Sequence, residues 1–528
     1  MSYDIVISGG LVIDGTGAPA RRADLAVVSD KIVEIGAGTY PARTVIDATG
    51  CVVTPGFIDL HSHADFSVPL DPAAPTQLAQ GVTTIITGNC GHSPFPIRNQ
   101  EQARRSIGFR GEIPLSWNWS DAAGFGAEVM SAKPAVNVGL QLGHNPLRVA
   151  VMGEDDRPPT PAELDEMCAI ITDSAQQPGV VGFSTGLIYM PGLFADTSEL
   201  VTLVRAAAAA DLLYSTHVRN ETSELVAAVE EAITVAEQAG ARLEISHLKA
   251  MGQENWGSVR HALDVIDAAR DRGVDVTTDV YPYTASSTDL ATRLPQWALD
   301  GGRGALLEHL ADPKQRIRLA EALRARFGRD VDPDGVVIAD LLPGDFDRYI
   351  GWSISKIGQD RGTDAAEAAL DLLAANKGAV PMINHAMSDD DVCTVLAHPW
   401  VSVASDGWML AASGEGRPHP RSFGTFARVL HRYVREGEIL TIEEAIRKMT
   451  SLPASRIGVG DRGVLRPGAI ADVAVLDPDA VTDTSTFTDP WQLAQGVRSV
   501  LVNGTPAILD GEFTGRHAGR LVEKREPA

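Results

Sequence analysis

The chain has 528 residues, 44% hydrophobic and 22% charged; that suits a barrel of about 250 residues with insertions and a second domain better than one small core. Its 45 Lys and Arg against 69 Asp and Glu leave a net charge of −24, which disfavours nucleic acid and anionic membranes as partners because phosphate binding needs a basic footprint. The four cysteines (Cys51, Cys90, Cys168, Cys393) are irregularly spaced and suggest no disulfide framework. No run of about 18 apolar residues predicts a membrane span. The opening Met1-Ser2-Tyr3-Asp4-Ile5-Val6 lacks a basic n-region and a long apolar stretch, so a soluble cytoplasmic protein is expected.

Residues 1–55 read as short strands with glycine-rich turns, Ile5-Val6-Ile7-Ser8-Gly9-Gly10-Leu11-Val12-Ile13 being strand, turn and strand. Residues 455–528 repeat that texture in Ala471-Asp472-Val473-Ala474-Val475-Leu476 and Val497-Arg498-Ser499-Val500-Leu501-Val502. Neither end makes a good core alone, so the two are expected to pair into one small β-sandwich. Between them, residues 56–454 alternate strands and helices, the pattern of a parallel α/β sheet. Strands are expected at 52–60, 82–88, 136–142, 180–186, 212–217, 242–247, 274–280, 381–385 and 401–405. Nine is one more than a (β/α)8 barrel needs; either 381–385 lies outside it or 274–280 is only part of the seventh strand. Thr160-Pro161-Ala162-Glu163 and Thr441-Ile442-Glu443-Glu444 read as capping boxes. Val226, Val229, Ile233 and Ala236 mark a helix ending at Gly240. Residues 284–375 interrupt the rhythm and are a candidate lid.

His61-Ser62-His63 ends the apolar run from Val52. Residues i and i+2 of a strand share a face, so both imidazoles aim at one point past the strand end, where such a barrel keeps its chemistry. Cys90, His217, His247 and Asp406 also stand at the ends of apolar strands. Any one of them has a bland reading: a rim histidine, a small buried filler or a turn aspartate. Six metal-competent residues converging on one barrel face point instead to a metal site for Zn²⁺ or a similar ion.

Thr54-Pro55-Gly56-Phe57-Ile58-Asp59-Leu60-His61-Ser62-His63 resembles the first-strand signature of the amidohydrolase superfamily. Gly88-Asn89-Cys90-Gly91, Ser246-His247-Leu248-Lys249 and Ala404-Ser405-Asp406-Gly407 are similar to motifs of the N-acyl-D-amino-acid deacylases, or D-aminoacylases. The resemblance implies a distorted TIM (β/α)8 barrel with a small β-domain. It implies a tightly held zinc at Cys90, His217 and His247, with His61, His63 and Asp406 around a second, weaker or vestigial metal position. The common superfamily pattern takes a carboxylated Lys or a Glu from the fourth strand. Here Gly182-Phe183-Ser184-Thr185-Gly186-Leu187 has neither, and Cys90 would serve instead.

Amide hydrolysis needs an activated water, a polarised carbonyl and a protonated leaving amine. A zinc with an open position supplies the first two, and Asp406 is the candidate to carry the proton from water to amine. Lys249, two residues after His247, suits the α-carboxylate of an N-acyl amino acid. The resemblance adds Tyr281 and Ser287 as carboxylate donors, with Tyr283 as an alternative to Tyr281, and Tyr189 as a pocket residue. His385, His419 and Arg421 could line the pocket, a structural role fitting equally well. The expected activity is zinc-dependent hydrolysis of small N-acyl-D-amino acids to a D-amino acid and a carboxylate. The alternatives are a hydrolase of cyclic or unusual peptide-like amides on the same site, and a non-catalytic scaffold.

Overall fold

A computed structural model describes residues 3–38, 40–100 and 113–524; the outermost parts of the two end segments, 1–2 and 525–528, lie outside them. Eight strands form one parallel sheet in sequential order: Phe57–Asp59 (β1), Val82–Thr87 (β2), Asn137–Gly143 (β3), Val180–Gly186 (β4), Leu213–His217 (β5), Leu243–Ile245 (β6), Val276–Val280 (β7) and Val401–Val403 (β8). Every residue of these strands is buried, because helices cover the outside and side chains fill the inside; hence they read as near-continuous apolar runs. Among the described residues no helix is long and apolar enough to cross a membrane.

The covering helices start and stop where the sequence signals them. Pro161–Ala175 carries both halves of the Thr160/Glu163 capping box. Leu225–Ala239 buries Val229, Ile233 and Ala236 and ends at Gly240, whose φ of +69° suits glycine. The Thr441 cap is only half a box: its side chain accepts from Glu444 N–H, but the Glu444 carboxylate turns to Arg447.

The expected strand 52–60 is two strands. Val52–Pro55 belongs to the terminal sheets and Phe57–Asp59 to the barrel. Gly56 stands at the break, where a Cβ would collide with the Thr83 side chain. The ninth strand is resolved too. Pro381–Asn384 lies outside the barrel, between Ser286–Asp289 and Val336–Ile338 in an antiparallel sheet of three. That sheet belongs to the long segment inserted between β7 and β8, which has its own core around Leu306, Leu319, Leu323, Leu370 and Leu373.

Both chain ends contribute to the second layered unit. Lys31–Gly36, Asp24–Val28, Tyr3–Ser8 and Ala42–Asp47 make one sheet. The other alternates ends, with Val473–Leu476 pairing both Val52–Pro55 and Val497–Val502. Ile5, Ile7, Leu25, Val27, Val53, Val473, Val475 and Leu501 form the core between them.

The barrel closes where β1 and β8 meet. His63 N–H donates to Gly407 O at 2.7 Å and Asp406 N–H to His61 O at 2.7 Å. Below this, the buried Asp59 carboxylate accepts from Ser405 N–H at 2.8 Å and from Ser405 Oγ at 2.5 Å. Asp59→Ala leaves both donors unsatisfied, and urea unfolding should show a loss of about 2 kcal/mol; a loss below about 0.5 kcal/mol would show that the clasp is not needed. Burial, against the Ser405 hydrogen bonds, raises the Asp59 pKa from 3.8 to about 6. The folded state therefore holds this proton more tightly than the unfolded chain. The Asp59 contribution is fullest below pH 4 and is lost as pH rises through about 6. Asp59→Asn should flatten the stability profile between those values, and an unchanged slope would assign it to other groups.

Candidate metal centre

All six expected ligands stand at the C-terminal ends of barrel strands, and the fold brings them together. His61 and His63 follow β1, Cys90 follows β2, His217 ends β5, His247 follows β6 and Asp406 follows β8. Three of them have left-handed backbone: Cys90 with φ +53°, His247 with +37° and Asp406 with +48°. Such conformations are costly for non-glycine residues and cluster at functional sites. Each is held by its neighbours. His247 N–H donates to Asp279 Oδ1 at 2.9 Å, and Asp406 N–H is part of the barrel closure. The Cys90 loop is pinned to β4, where Ser184 Oγ accepts from Gly91 N–H at 3.0 Å and donates to Gly88 O. A Cβ on Gly186 would collide with the Cys90 carbonyl oxygen. The space beside the end of β4 is thus taken by the cysteine loop, which explains why β4 offers no ligand of its own.

Cys90 Sγ lies between two histidines, 3.3 Å from His61 Nε2 and 3.5 Å from His247 Nε2. His61 Nε2 is 3.4 Å, and His63 Nε2 3.0 Å, from Asp406 Oδ1. One ligand atom each from His61, Cys90, His247 and Asp406 falls within 4.8 Å of the others, and all four residues are buried. The His217 ring packs edge-on to that of His247 at 4.4 Å, and both its Nδ1 and its Nε2 are buried with no hydrogen-bond partner. A buried imidazole nitrogen without a partner is costly. Together with a thiol, further imidazoles and a carboxylate, it fits a borderline-soft cation such as zinc.

The electrostatics agree. Burial pushes the Cys90 thiol up, but the charges of His61 and His247 and its contacts with His217 and His247 outweigh it and hold the pKa well below the ordinary thiol value. A thiolate is the metal-binding form. Burial likewise opposes ionisation of Asp406, and Arg421, His61 and His247 overcome it. Arg421 grips Asp406 Oδ2 at 2.5 Å, leaving Oδ1 to face the histidines.

The expected substrate residues are nearby. Lys249 does not present a free ammonium: it is 5% exposed, ion-paired to Glu221 and 2.9 Å from His247 Nδ1. Tyr281 is buried 6.4 Å, ring to ring, from His247, with Lys249 and Arg421 against its ring at 5.7 and 4.8 Å. Tyr283 points elsewhere, its hydroxyl 3.4 Å from Pro420 O. Ser287 is half-buried and gives its carbonyl to Arg421 at 3.2 Å. Tyr189 lies 5.2 Å from the His217 ring, its hydroxyl 3.2 Å from Thr288 Oγ1. His419 is buried and donates from Nε2 to Ala285 O at 2.9 Å, whereas His385 is exposed against Phe487.

Sequence reasoning missed two carboxylates. Asp279, in the buried β7, holds His61 Nδ1 at 3.1 Å. Glu221, four residues after His217, lies 3.1 Å from His247 Nδ1. An acidic residue inside Val276-Thr277-Thr278-Asp279-Val280 was the available signal for the first; nothing in the local pattern marks the second.

Residues 44–508 match the model of the amidohydrolase family. The chain is 38% identical to an N-acyl-D-glutamate deacylase of Alcaligenes xylosoxydans xylosoxydans, covering 99% of this chain and 96% of that one. It is 35% identical to a D-aminoacylase of the same organism, over 99% and 98%. A crystal structure of the N-acyl-D-glutamate deacylase from Bordetella bronchiseptica, with zinc and a phosphonate mimic of the tetrahedral intermediate, superposes with a TM-score of 0.83 at 37% identity, covering 98% of this chain and 99% of that one.

Cys90→Ala should weaken zinc binding by at least the ~10–100-fold typical of losing an outer partner of a ligand, read as zinc retained per chain after dialysis against a chelator. Retention equal to the unaltered protein would remove Cys90 from the ligand set.

Proposed function

The chain belongs to the amidohydrolase family and is a metal-dependent member of its D-aminoacylase branch, and on that premise we propose that it hydrolyses N-acyl-D-amino acids to a free D-amino acid and a carboxylate. The observation that carries the reading is the thiol of Cys90 set between His61 and His247, with Asp406 and the unpartnered His217 Nδ1 beside it. In this reading Cys90, His217 and His247 hold a zinc ion tightly, and His61, His63 and Asp406 frame a second, weaker position. The metal would supply Lewis acidity toward the amide carbonyl and the attacking water.

The protein's own groups do the rest. Asp406, kept ionised and aimed by Arg421, takes a proton at Oδ1 from the attacking water and returns it to the amine nitrogen as the C–N bond breaks. Lys249, Tyr281 and Ser287 receive the α-carboxylate, and the Lys249–Glu221 pair keeps that ammonium at a set position until a second carboxylate shares it. Tyr189 walls the pocket over His217.

Arg293 favours an acidic amino-acid side chain. Arg293 is 4% exposed, within electrostatic reach of Asp330, Glu221 and Tyr189, and has no salt bridge among the described residues; Nε donates to Thr292 Oγ1 at 3.3 Å. Burial, with Arg326 nearby, lowers its pKa to about 10, and a substrate carboxylate would relieve that cost.

Zinc-loaded protein assayed on N-acetyl-D and N-acetyl-L forms of Glu, Asp, Met, Leu and Phe should turn over D forms and favour D-Glu or D-Asp. Turnover of hydantoins or other cyclic amides without any N-acyl amino acid would replace this reading with the cyclic-amide one. Asp406→Asn should lower kcat by about 10²–10⁴-fold with zinc still bound, and a kcat within threefold would deny it the proton-shuttle role. Arg293→Met should cut kcat/KM for the D-Glu substrate at least tenfold while sparing D-Met, and an equal effect on both would make Arg293 structural.

A further inference from the structure

Glu221 is a buried carboxylate that the mechanism above leaves without a role of its own toward the metal. It is 4% exposed and lies in the connection between β5 and the helix Leu225–Ala239. Its Oε1 is 3.1 Å from His247 Nδ1 and its Oε2 is 3.5 Å from His217 Nε2. The Lys249 ammonium rests on Oε1 as well and lies 2.9 Å from His247 Nδ1, so Glu221 must draw that ammonium to itself for Nδ1 to keep its own proton. The two rings present their other nitrogens elsewhere. His247 Nε2 faces Cys90 Sγ at 3.5 Å, and His217 is buried with neither ring nitrogen in a hydrogen bond, so Glu221 Oε2 stands at ion-pair distance from its Nε2 and Nδ1 is left open.

An imidazole that gives one nitrogen to a cation must carry its proton on the other. A carboxylate beside that second nitrogen selects the tautomer, aims the ring and raises its basicity. Usually each ligating histidine has its own partner. Here one buried carboxylate stands behind two histidines, with a different oxygen toward each ring. Lys249 balances the charge of Glu221, so the carboxylate can stay ionised in a buried place.

Resting on the zinc reading above, we infer that Glu221 is the positioning residue that fixes the tautomers of His217 and His247 together and orients both rings toward one metal ion. Glu221→Gln keeps the size but offers only one acceptor oxygen. Its amide N–H₂ then faces the N–H of one imidazole, so one of the two rings loses its orientation.

The test is zinc affinity, measured on metal-stripped wild type and Glu221→Gln by competition with a chromophoric chelator, alongside the melting temperature of each metal-free protein. The expected result is about 10–100-fold weaker zinc binding in the variant, whatever the metal-free melting temperature loses from the broken Glu221–Lys249 pair. Equal zinc affinity in the two proteins would overturn the inference. So would a lower metal-free melting temperature with unaltered affinity, which is what a purely structural Glu221–Lys249 pair gives. Should the variant not fold, ¹⁵N-histidine spectra of zinc-loaded wild type decide. Two imidazole N–H protons protected from solvent exchange support the shared carboxylate, and rapid exchange at either ring contradicts it. Wild type that binds no zinc at all would instead sink the metal reading beneath it.

Discussion

The molecule depends on how an eight-stranded parallel sheet is joined into a barrel through two of its shortest strands. β1 and β8 have three residues each, and their closing contacts lie beyond the strands, between His61–His63 and Asp406–Gly407. The segments that complete the barrel are therefore the segments that carry three of the six candidate ligands. The closing hydrogen bonds thus hold those three side chains beside one another. The left-handed backbone of Asp406 persists because the surrounding hydrogen bonds over-determine it.

The same economy governs the cysteine. A parallel barrel aims every strand end at one face, but it leaves little room there. The Cys90 loop fills the space against β4, and Gly186 is small because the Cys90 carbonyl occupies the volume its side chain would need. A thiolate then sits where it touches histidines from β1 and β6 at once. In the proposed metal site it would supply the negative charge that the common pattern takes from a β4 side chain. Asp279 and Glu221 stand behind these histidines, so the imidazoles are held from both sides.

Much of this was legible in the sequence, for physical reasons. Strands buried on both faces leave apolar runs, and a His, Cys or Asp at the end of such a run is conspicuous; His61, His63, Cys90, His217, His247 and Asp406 all stood out this way. Other features were hidden because the same local pattern serves two structures. Pro381–Asn384 is as apolar as a barrel strand, and only its antiparallel partners place it elsewhere. The run from Val52 reads as one strand, although Thr83 packs into the space above Gly56 and marks the crossing between two sheets. Lys249 pointed to the correct side, but its partner Glu221 comes from a connection with no periodicity. Glu444 has the spacing of a capping box yet turns to Arg447, because an arginine one turn away offers a charge-assisted bond.

X-ray absorption at the zinc edge, on protein loaded with one equivalent of zinc, tests the central claim most directly. The account predicts one sulfur scatterer at about 2.3 Å together with nitrogen or oxygen scatterers at about 2.0–2.1 Å, including histidine outer-shell features. Among the described residues, Cys90 is the thiol that reaches this cluster. A first shell of nitrogen and oxygen alone would contradict the account, because it would place the metal away from the one residue around which the site is built.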